Sequence, residues 1–325
     1  MARPAYLSSG ESNCRPIAGC AQGSEADHHL GVGEMSRLQA RVGLIAVLLL
    51  VGGGLAVPGA PAAERGVVQV KASDFDSADF PASPVIDNPF LPWTPGTRYV
   101  YDGEVVTDGQ RTAHRIVIVV TDLMKVIDQV PSLVILDRDF DDGVIAESEL
   151  AFQAQDAGGT VWSLGEYPEE YEDGTFVTAE RTWLAGVARA RAGILMLNEP
   201  VVGGPSYSQG RAPEVDFADR ARVIASGQQV CVKAGCFNDV LVTDEWDALD
   251  PAGGHQIKYH APGIGVVLIE AQGGDAQETL ELVRVSQLGA VGMERNRNRA
   301  LRMDRRAYRR AADVYADSPR VQLLP

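Results

Sequence analysis

From Thr97 onward, apolar and polar residues alternate in short runs broken by glycine turns, the period-two pattern of half-buried β-strands. Arg98–Thr107 turns at Asp108-Gly109 and returns through Arg111–Thr121, and Leu133–Phe140 turns at Asp141-Asp142-Gly143 and returns through Val144–Gln155. Gly158-Gly159 leads into Val161–Leu164, and Asp173-Gly174 into Thr175–Trp183. Further strands are predicted over Val215–Ile224, Gln228–Val232, Phe237–Trp246, His255–His260, Gly265–Ala271 and Thr279–Val285. No long helix is called for between 97 and 288, and the Gly- and Pro-rich stretch Ala188–Arg211 reads as a loop crossing one end of the sheet. The expected fold is therefore all-β, a single antiparallel meander forming a half-barrel or a more fully closed barrel-like sheet.

The pattern changes at both ends. Met35 opens a basic start (Arg37, Arg41), an apolar stretch Val42–Val57 and the small-residue run Ala60-Pro61-Ala62-Ala63, which together read as a secretory signal peptide over 35–63. The apolar stretch is 16 residues long and holds three consecutive glycines, short of the roughly 20 residues a membrane span needs. Residues 1–34 are polar and aperiodic, a disordered or mis-assigned start that leaves Cys14, Cys20, His28 and His29 outside the mature chain. Residues 64–87 form an extended acidic leader, 88–288 the β domain and 289–325 a basic tail. In that tail Arg302, Arg305, Arg306, Arg309 and Arg310 surround one thin stripe of Leu301, Tyr308 and Tyr315, so it reads as an Arg-rich helical or disordered segment.

Charge follows the same division. Residues 64–290 carry 36 acidic against 16 basic side chains, and 291–325 carry 4 acids against 9 arginines. An acidic body excludes nucleic acid as a partner, because phosphate demands the opposite field. The basic tail points to docking on the acidic body or on an anionic envelope surface. Of the four cysteines, Cys231 and Cys236 fall in the β domain. A two-residue turn at Lys233-Ala234 would set them opposite each other, as a disulfide staple in an oxidising compartment.

The run Asn88-Pro-Phe-Leu-Pro-Trp-Thr-Pro-Gly-Thr-Arg-Tyr-Val-Tyr-Asp-Gly103 resembles the opening of a family of uncharacterised exported bacterial proteins. Gln155–Trp162, Ala192–Met196 and Lys258–Val267 agree with it in order, so the resemblance covers roughly 87–285. The Pro-Gly block leading into a strand is also similar to extracytoplasmic half-barrels of the lipoprotein-carrier kind. The resemblance implies an exported β protein and carries no catalytic residue.

The candidate chemistry is sparse. His255 and His260 are five apart on one strand and point to opposite faces, and the remaining mature-chain histidine is His114, so no metal site is expected. Asp137-Arg-Asp-Phe-Asp-Asp-Gly143 starts like a calcium loop but has Asp142 where glycine belongs and Ser148 where a bidentate Glu belongs, leaving an acidic hairpin turn. Glu166, Glu169, Glu170, Glu172 and Asp173 crowd what reads as a solvated turn, with the acid and base of a glycosidase as the rival reading. There is no nucleophile elbow and no glycine-rich phosphate loop, so no catalytic residue and no cofactor are expected. Trp162, Trp183, Trp246, Phe176 and Tyr259 sit on several strands. In a half-closed sheet they would line a concave surface for a lipid or other apolar small molecule. Together these features describe an extracytoplasmic, non-enzymatic ligand-binding protein. An extracellular hydrolase using acidic-loop carboxylates and a surface or assembly protein are the alternatives.

Overall fold

The computed structural model describes residues 69–325, so the signal segment, Cys14, Cys20, His28 and His29 lie outside the described residues. The strands are β1 (Thr97–Thr107), β2 (Gln110–Ile127), β3 (Val130–Asp141), β4 (Val144–Gln155), β5 (Val161–Glu172), β6 (Thr175–Thr178), β7 (Trp183–Leu184) and β8 (Arg191–Met196). They continue as β9 (Tyr207–Ser208), β10 (Gly210–Arg211), β11 (Asp219–Val232), β12 (Gly235–Asp247), β13 (His255–Ala261), β14 (Gly265–Gln272) and β15 (Ala276–Gln287). Helices α1 (Ala290–Arg310) and α2 (Ala312–Tyr315) and a final short β16 (Gln322–Leu323) complete the chain. The expected all-β antiparallel class holds, and the tail is helical.

Strand order is β10-β8-β5-β4-β3-β2-β1-β15-β14-β13-β12-β11-β9. The two outermost strands of this path are neighbours in sequence. Ser208 pairs with Arg220 of β11, and two residues later Gly210 pairs with Ala192 of β8. One short segment thus joins both edges, and the half-barrel becomes a nearly closed barrel. Ala188–Arg211 is therefore no crossing loop; it supplies β8 and the seam. Its glycines explain why so few apolar residues suffice here. A Cβ on Gly193 would stand 2.0 Å from the Gly210 nitrogen, so the backbones meet with no room for a side chain.

Asn88–Gly96 closes one end. The buried Asn88 amide donates to the carbonyls of Gly159 and Leu197, tying the start of the domain to two strand ends. Trp93 packs edge-on against Tyr99 at 5.4 Å and donates its indole N–H to the Gln153 side chain at 2.6 Å, which sets an aromatic plug under the barrel. Phe75 and Phe80 of the leader cover Trp162 from outside, with centroids 5.4 and 6.3 Å away.

Helix α1 lies on the outer face of β2 and β4. The stripe it buries is Ala300, Met303, Asp304 and Ala307, spaced i, i+3, i+4, i+7, with Tyr315 of α2 beyond it. Small residues bring the helix close to the sheet, and ion pairs fix its register. Lys125 and Glu169 have no exposed surface. The Lys125 Nζ donates to the Pro319 carbonyl at 2.6 Å and lies 4.4 Å from the Tyr315 ring centre. Arg306 grips Glu169, which also accepts from Tyr167 and Tyr171. Arg297 pairs with Asp122 in the same way. The disulfide Cys231–Cys236 sits at the tip of the β11–β12 hairpin, with Cys231 directly opposite Cys236 as the turn predicts.

Two outcomes are expected. Gly193→Val removes the space the seam needs, so it should abolish cooperative unfolding and produce strong binding of a hydrophobic dye; a variant melting like the parent would contradict the double pairing. Arg306→Leu leaves the buried Glu169 carboxylate uncompensated and should cost about 3–5 kcal/mol in denaturant unfolding, whereas an exposed pair would cost under about 1 kcal/mol.

Candidate functional site

Antiparallel register decides which side chains share the inside of the barrel. Asp137 stands opposite Glu149, and Asp139 opposite Glu147, across β3 and β4. Next on that face come Pro168, opposite Glu149, and Glu166, opposite Ala151. On the other side Asp139 faces Ile116, and Asp141 faces His114. Glu278 faces Val105 across β1 and β15, Lys258 faces Thr243, and Glu245 faces both Gln256 and Ala221. Asp219, two residues before Ala221, shares that face. The intervening residues point outward, where the ion pairs Arg115–Asp102 and Arg111–Glu104 are largely solvent-exposed. The inner face thus has two zones. Tyr99, Tyr101, Leu133, Ile135, Leu280 and Leu282 form an apolar floor above the Trp93 plug. Above that floor β3, β4, β5, β11, β12 and β15 each turn carboxyl groups inward.

Some of these acids are neutralised. Burial works against charge on Glu245 and Lys258, but their 2.8 Å ion pair overrides it, lowering the Glu245 carboxyl and raising the Lys258 ammonium. Burial also pushes the His114 imidazole down. The Nδ1 hydrogen bond to Asp141 (2.7 Å) and the charges of Glu278 (3.3 Å from Nε2) and Asp141 outweigh it and leave the imidazole above its ordinary value. The others have no such partner. Burial pushes Asp137 up to about 6 although the Arg138 backbone N–H and guanidinium oppose the rise, and burial reinforced by neighbouring carboxylates pushes Glu147 and Asp219 up to about 7. Asp139 and Glu149 move well above the carboxylate range for the same reasons. Glu166 also rises through burial, although the Trp183 indole and the charges of Arg181 and Lys258 oppose the rise.

A cavity of about 200 Å³ opens in this wall, lined by Glu147, Glu149, Glu166, Pro168, Arg181, Trp183, Val215, Phe217 and Asp219. Trp183 stacks on Phe217 with centroids 5.1 Å apart and planes 25° apart, and its indole N–H donates to Glu166 at 3.3 Å. One side of the cavity is thus aromatic and the others are anionic, with Arg181 as the lone cation among the lining residues. Tyr207 is not among the residues lining the cavity; it sits on the inner face opposite Ala221, is 4% exposed, and its hydroxyl has no hydrogen-bond partner.

The five aromatic residues singled out from the sequence are not brought together. Trp183 lines the cavity. Trp162 lies beneath Phe75 and Phe80 of the leader. Trp246 stacks on His255 on the outside of β12 and β13, and Tyr259 donates to Glu270 on the same outer side. Phe176 lies under the Arg310 guanidinium. His255 and His260 do face opposite ways: His255 bonds Asp244 outside, and His260 lies 3.1 Å from the Thr243 hydroxyl inside.

The run Glu166–Asp173 is not a solvated turn. Most of it belongs to the long strand β5, with Glu166 inside and Glu169 buried beneath α1. The acidic wall itself went unread in the sequence, although Asp137-x-Asp139-x-Asp141 and Glu147-x-Glu149 repeat at the strand period and must share a face. Among the described residues, no three of His, Cys, Asp and Glu are placed to hold one metal ion.

No family model and no curated protein matches the chain. Several solved structures are similar to it at low identity. A candidate exported protein with a YmcC-like fold from Bacteroides fragilis is 17% identical over 61% of this chain and 99% of its own, with a TM-score of 0.37. A candidate lipoprotein from Parabacteroides distasonis is 11% identical over 61% and 99%, at 0.34. A β-barrel-like protein of a domain of unknown function from Brucella abortus is 12% identical over 64% and 100%, at 0.33. Likeness at this level supplies no activity.

The unpaired acids carry a pH signature. Carboxyls raised by folding bind more protons in the native than in the unfolded state between about pH 4 and 7, so stability should fall as pH rises through that window. Asp219→Asn should therefore raise the melting temperature at pH 8 by about 2–4 °C, equivalent to about 1 kcal/mol after allowance for water in the lumen. The gain should vanish below about pH 4, where both states are protonated; a gain independent of pH would refute the assignment.

Proposed function

We propose that this is an exported, non-enzymatic binding protein that takes a small amphipathic ligand into its barrel. The observation behind this reading is the two-zone interior, an apolar floor beneath a polar wall with a cavity between Trp183–Phe217 and the carboxylates of β4, β5 and β11. A protein folding only for its own stability gains nothing from unpaired acids on an inner face, since each costs desolvation and mutual repulsion. A ligand that meets those groups gives the arrangement a use.

Export is supported by the signal pattern over 35–63 and by a disulfide, which persists in oxidising compartments. The outer face of α1 supports envelope association. Arg297 and Arg306 are tied to the body, while Arg302, Arg305 and Arg309 are exposed and form a basic strip on an otherwise acidic protein.

A glycoside hydrolase is the second reading, and one observation favours it. Glu147 and Asp219 hold their protons to about pH 7, as a general acid must, and share a cavity with Glu166.

Native mass spectrometry of the mature protein from its own exported fraction, without detergent, tests both. The binding reading expects a discrete additional mass that disappears on solvent extraction. Only a bare chain, two protons light for the disulfide, together with turnover of an offered glycan, would replace it with the hydrolase.

A further inference from the structure

We propose that the β11–β12 hairpin is a strap closing a split in the barrel wall between β14 and β15, and that a ligand's apolar chain enters by lifting it. This rests on the binding reading above and names the route into the barrel.

Strands β14 and β15 are 8 and 12 residues long, yet they share a ladder of three pairs, Leu268–Glu281, Ile269–Leu280 and Glu270–Thr279. Where the ladder stops, toward the Trp93 end, both strands carry a bulge. Val283 of β15 is extra opposite the Val100–Tyr101 step, and Val267 of β14 is extra opposite the Tyr259–His260 step. A bulge bends its strand, and two at one level part the strands. Backbone groups along the split take their hydrogen bonds from elsewhere. The Val266 carbonyl accepts from the Tyr101 hydroxyl of β1 at 2.9 Å, and the Leu282 carbonyl accepts from the Ala234 N–H at 3.0 Å. Ala234 is at the tip of the β11–β12 hairpin, so a segment from two strands beyond β14 seals the gap on β15.

The hairpin has a bent neck and a stiff outer part. Between Val223 and Val230 its register with β12 slips three times, and Gly227 and Asp239 have positive φ (68° and 55°). Beyond the neck the pairing is regular, with Val230 opposite Phe237 and Cys231 opposite Cys236. Strand alternation sends Val230, Val232 and Phe237 to the side packed on the core, and the disulfide to the exposed side. The disulfide braces the outer part as one piece, with the neck as its hinge. The fastenings at the tip are few: the Ala234 bond, the Lys233 N–H on the Glu281 carboxylate at 3.0 Å, and the Lys233–Glu281 ion pair at 2.6 Å. Lys233 is 64% exposed, and an ion pair so placed adds little. Lifting the strap withdraws three apolar side chains from the core and leaves an apolar slot at the split. An alkyl chain fills that slot, with the fully buried Val267, Leu280 and Leu282 behind it.

The test uses the exported protein with its disulfide intact and two variants. Lys233→Glu sets like charges at the tip, and Lys233→Glu with Glu281→Lys restores the pair. Hydrogen exchange read by mass spectrometry should show amides 226–240 and 283–287 exchanging at least about tenfold faster in Lys233→Glu. Amides of β3 and β4 should be unchanged, and the double variant should reverse most of the gain. The probe is N-phenyl-1-naphthylamine, a neutral apolar fluorophore. A ligand that binds only the lifted state gains apparent affinity in proportion to the lifted fraction. The probe should therefore bind about tenfold more tightly to Lys233→Glu, and near the parent value in the double variant. Hairpin amides no faster than those of β3 and β4, or a probe affinity indifferent to the variants, overturns the strap and leaves the binding reading standing. No probe binding to the parent or to Lys233→Glu removes the binding reading and the route with it.

Discussion

Tyr207–Arg211 pairs on both of its sides, with β11 through Ser208 and with β8 through Gly210, and this double pairing turns a twisted sheet into a barrel. Without it β8 and β11 would be free edges, and the acidic face would be one side of an open sheet bathed in water. With it, the same face becomes an interior where carboxylates on β3, β4, β5, β11 and β15 see one another across a confined space. Their mutual repulsion follows directly from closure, as do their raised proton affinities and the cavity beside Trp183. The seam is held by backbone pairing over very few residues, at a place where Gly193 and Gly210 bring two chains into contact.

A barrel with a charged lumen cannot rely on its inside for all of its stability. The second core lies outside, between the β2–β5 wall and α1. There Leu123, Leu136, Leu150 and Phe152 are fully buried, as are Met303 and Tyr315 from the tail. Polar anchors cross that core. Lys125 meets Pro319 and the tyrosine rings, burial lowers its ammonium to about 8, and Glu169 holds Arg306. Buried pairs of this sort add little net stability against an apolar isostere, but they fix one register of helix on sheet. The division of labour leaves the interior free for unpaired acids. A core packed only inside the barrel could not do that.

Much of the fold is legible in the sequence because it depends on local rules. Period-two alternation and the D-G and G-G turns locate the long strands, with Val144–Gln155 recovered as β4 without change. The Lys233-Ala234 turn places Cys231 against Cys236 for the same local reason. What failed depended on partners far away in sequence. Glu166–Asp173 is polar enough to read as a turn, yet it extends β5 because α1 supplies Arg306 for Glu169 from 137 residues away. Ala188–Arg211 is too rich in glycine to register as strand, yet its glycines are what allow two edges to meet. Of the aromatic set, Trp183 alone reaches the cavity. Strand position does not tell which face of the sheet is the inner one.

The sequence by itself determined the class of fold, the antiparallel order of its hairpins, the disulfide and the acidic body with its basic tail, since each is fixed by residues close together in the chain or by composition. It also determined that Asp137, Asp139 and Asp141 share a face, and likewise Glu147 and Glu149, because a strand has no other option. Only the tertiary structure decided that this shared face is the inside. Closure, the docking of α1 on the opposite face and the gathering of Glu166, Trp183, Phe217 and Asp219 around one cavity are long-range events. Their driving forces, sheet twist and burial of the outer apolar face, act between segments that are far apart along the chain.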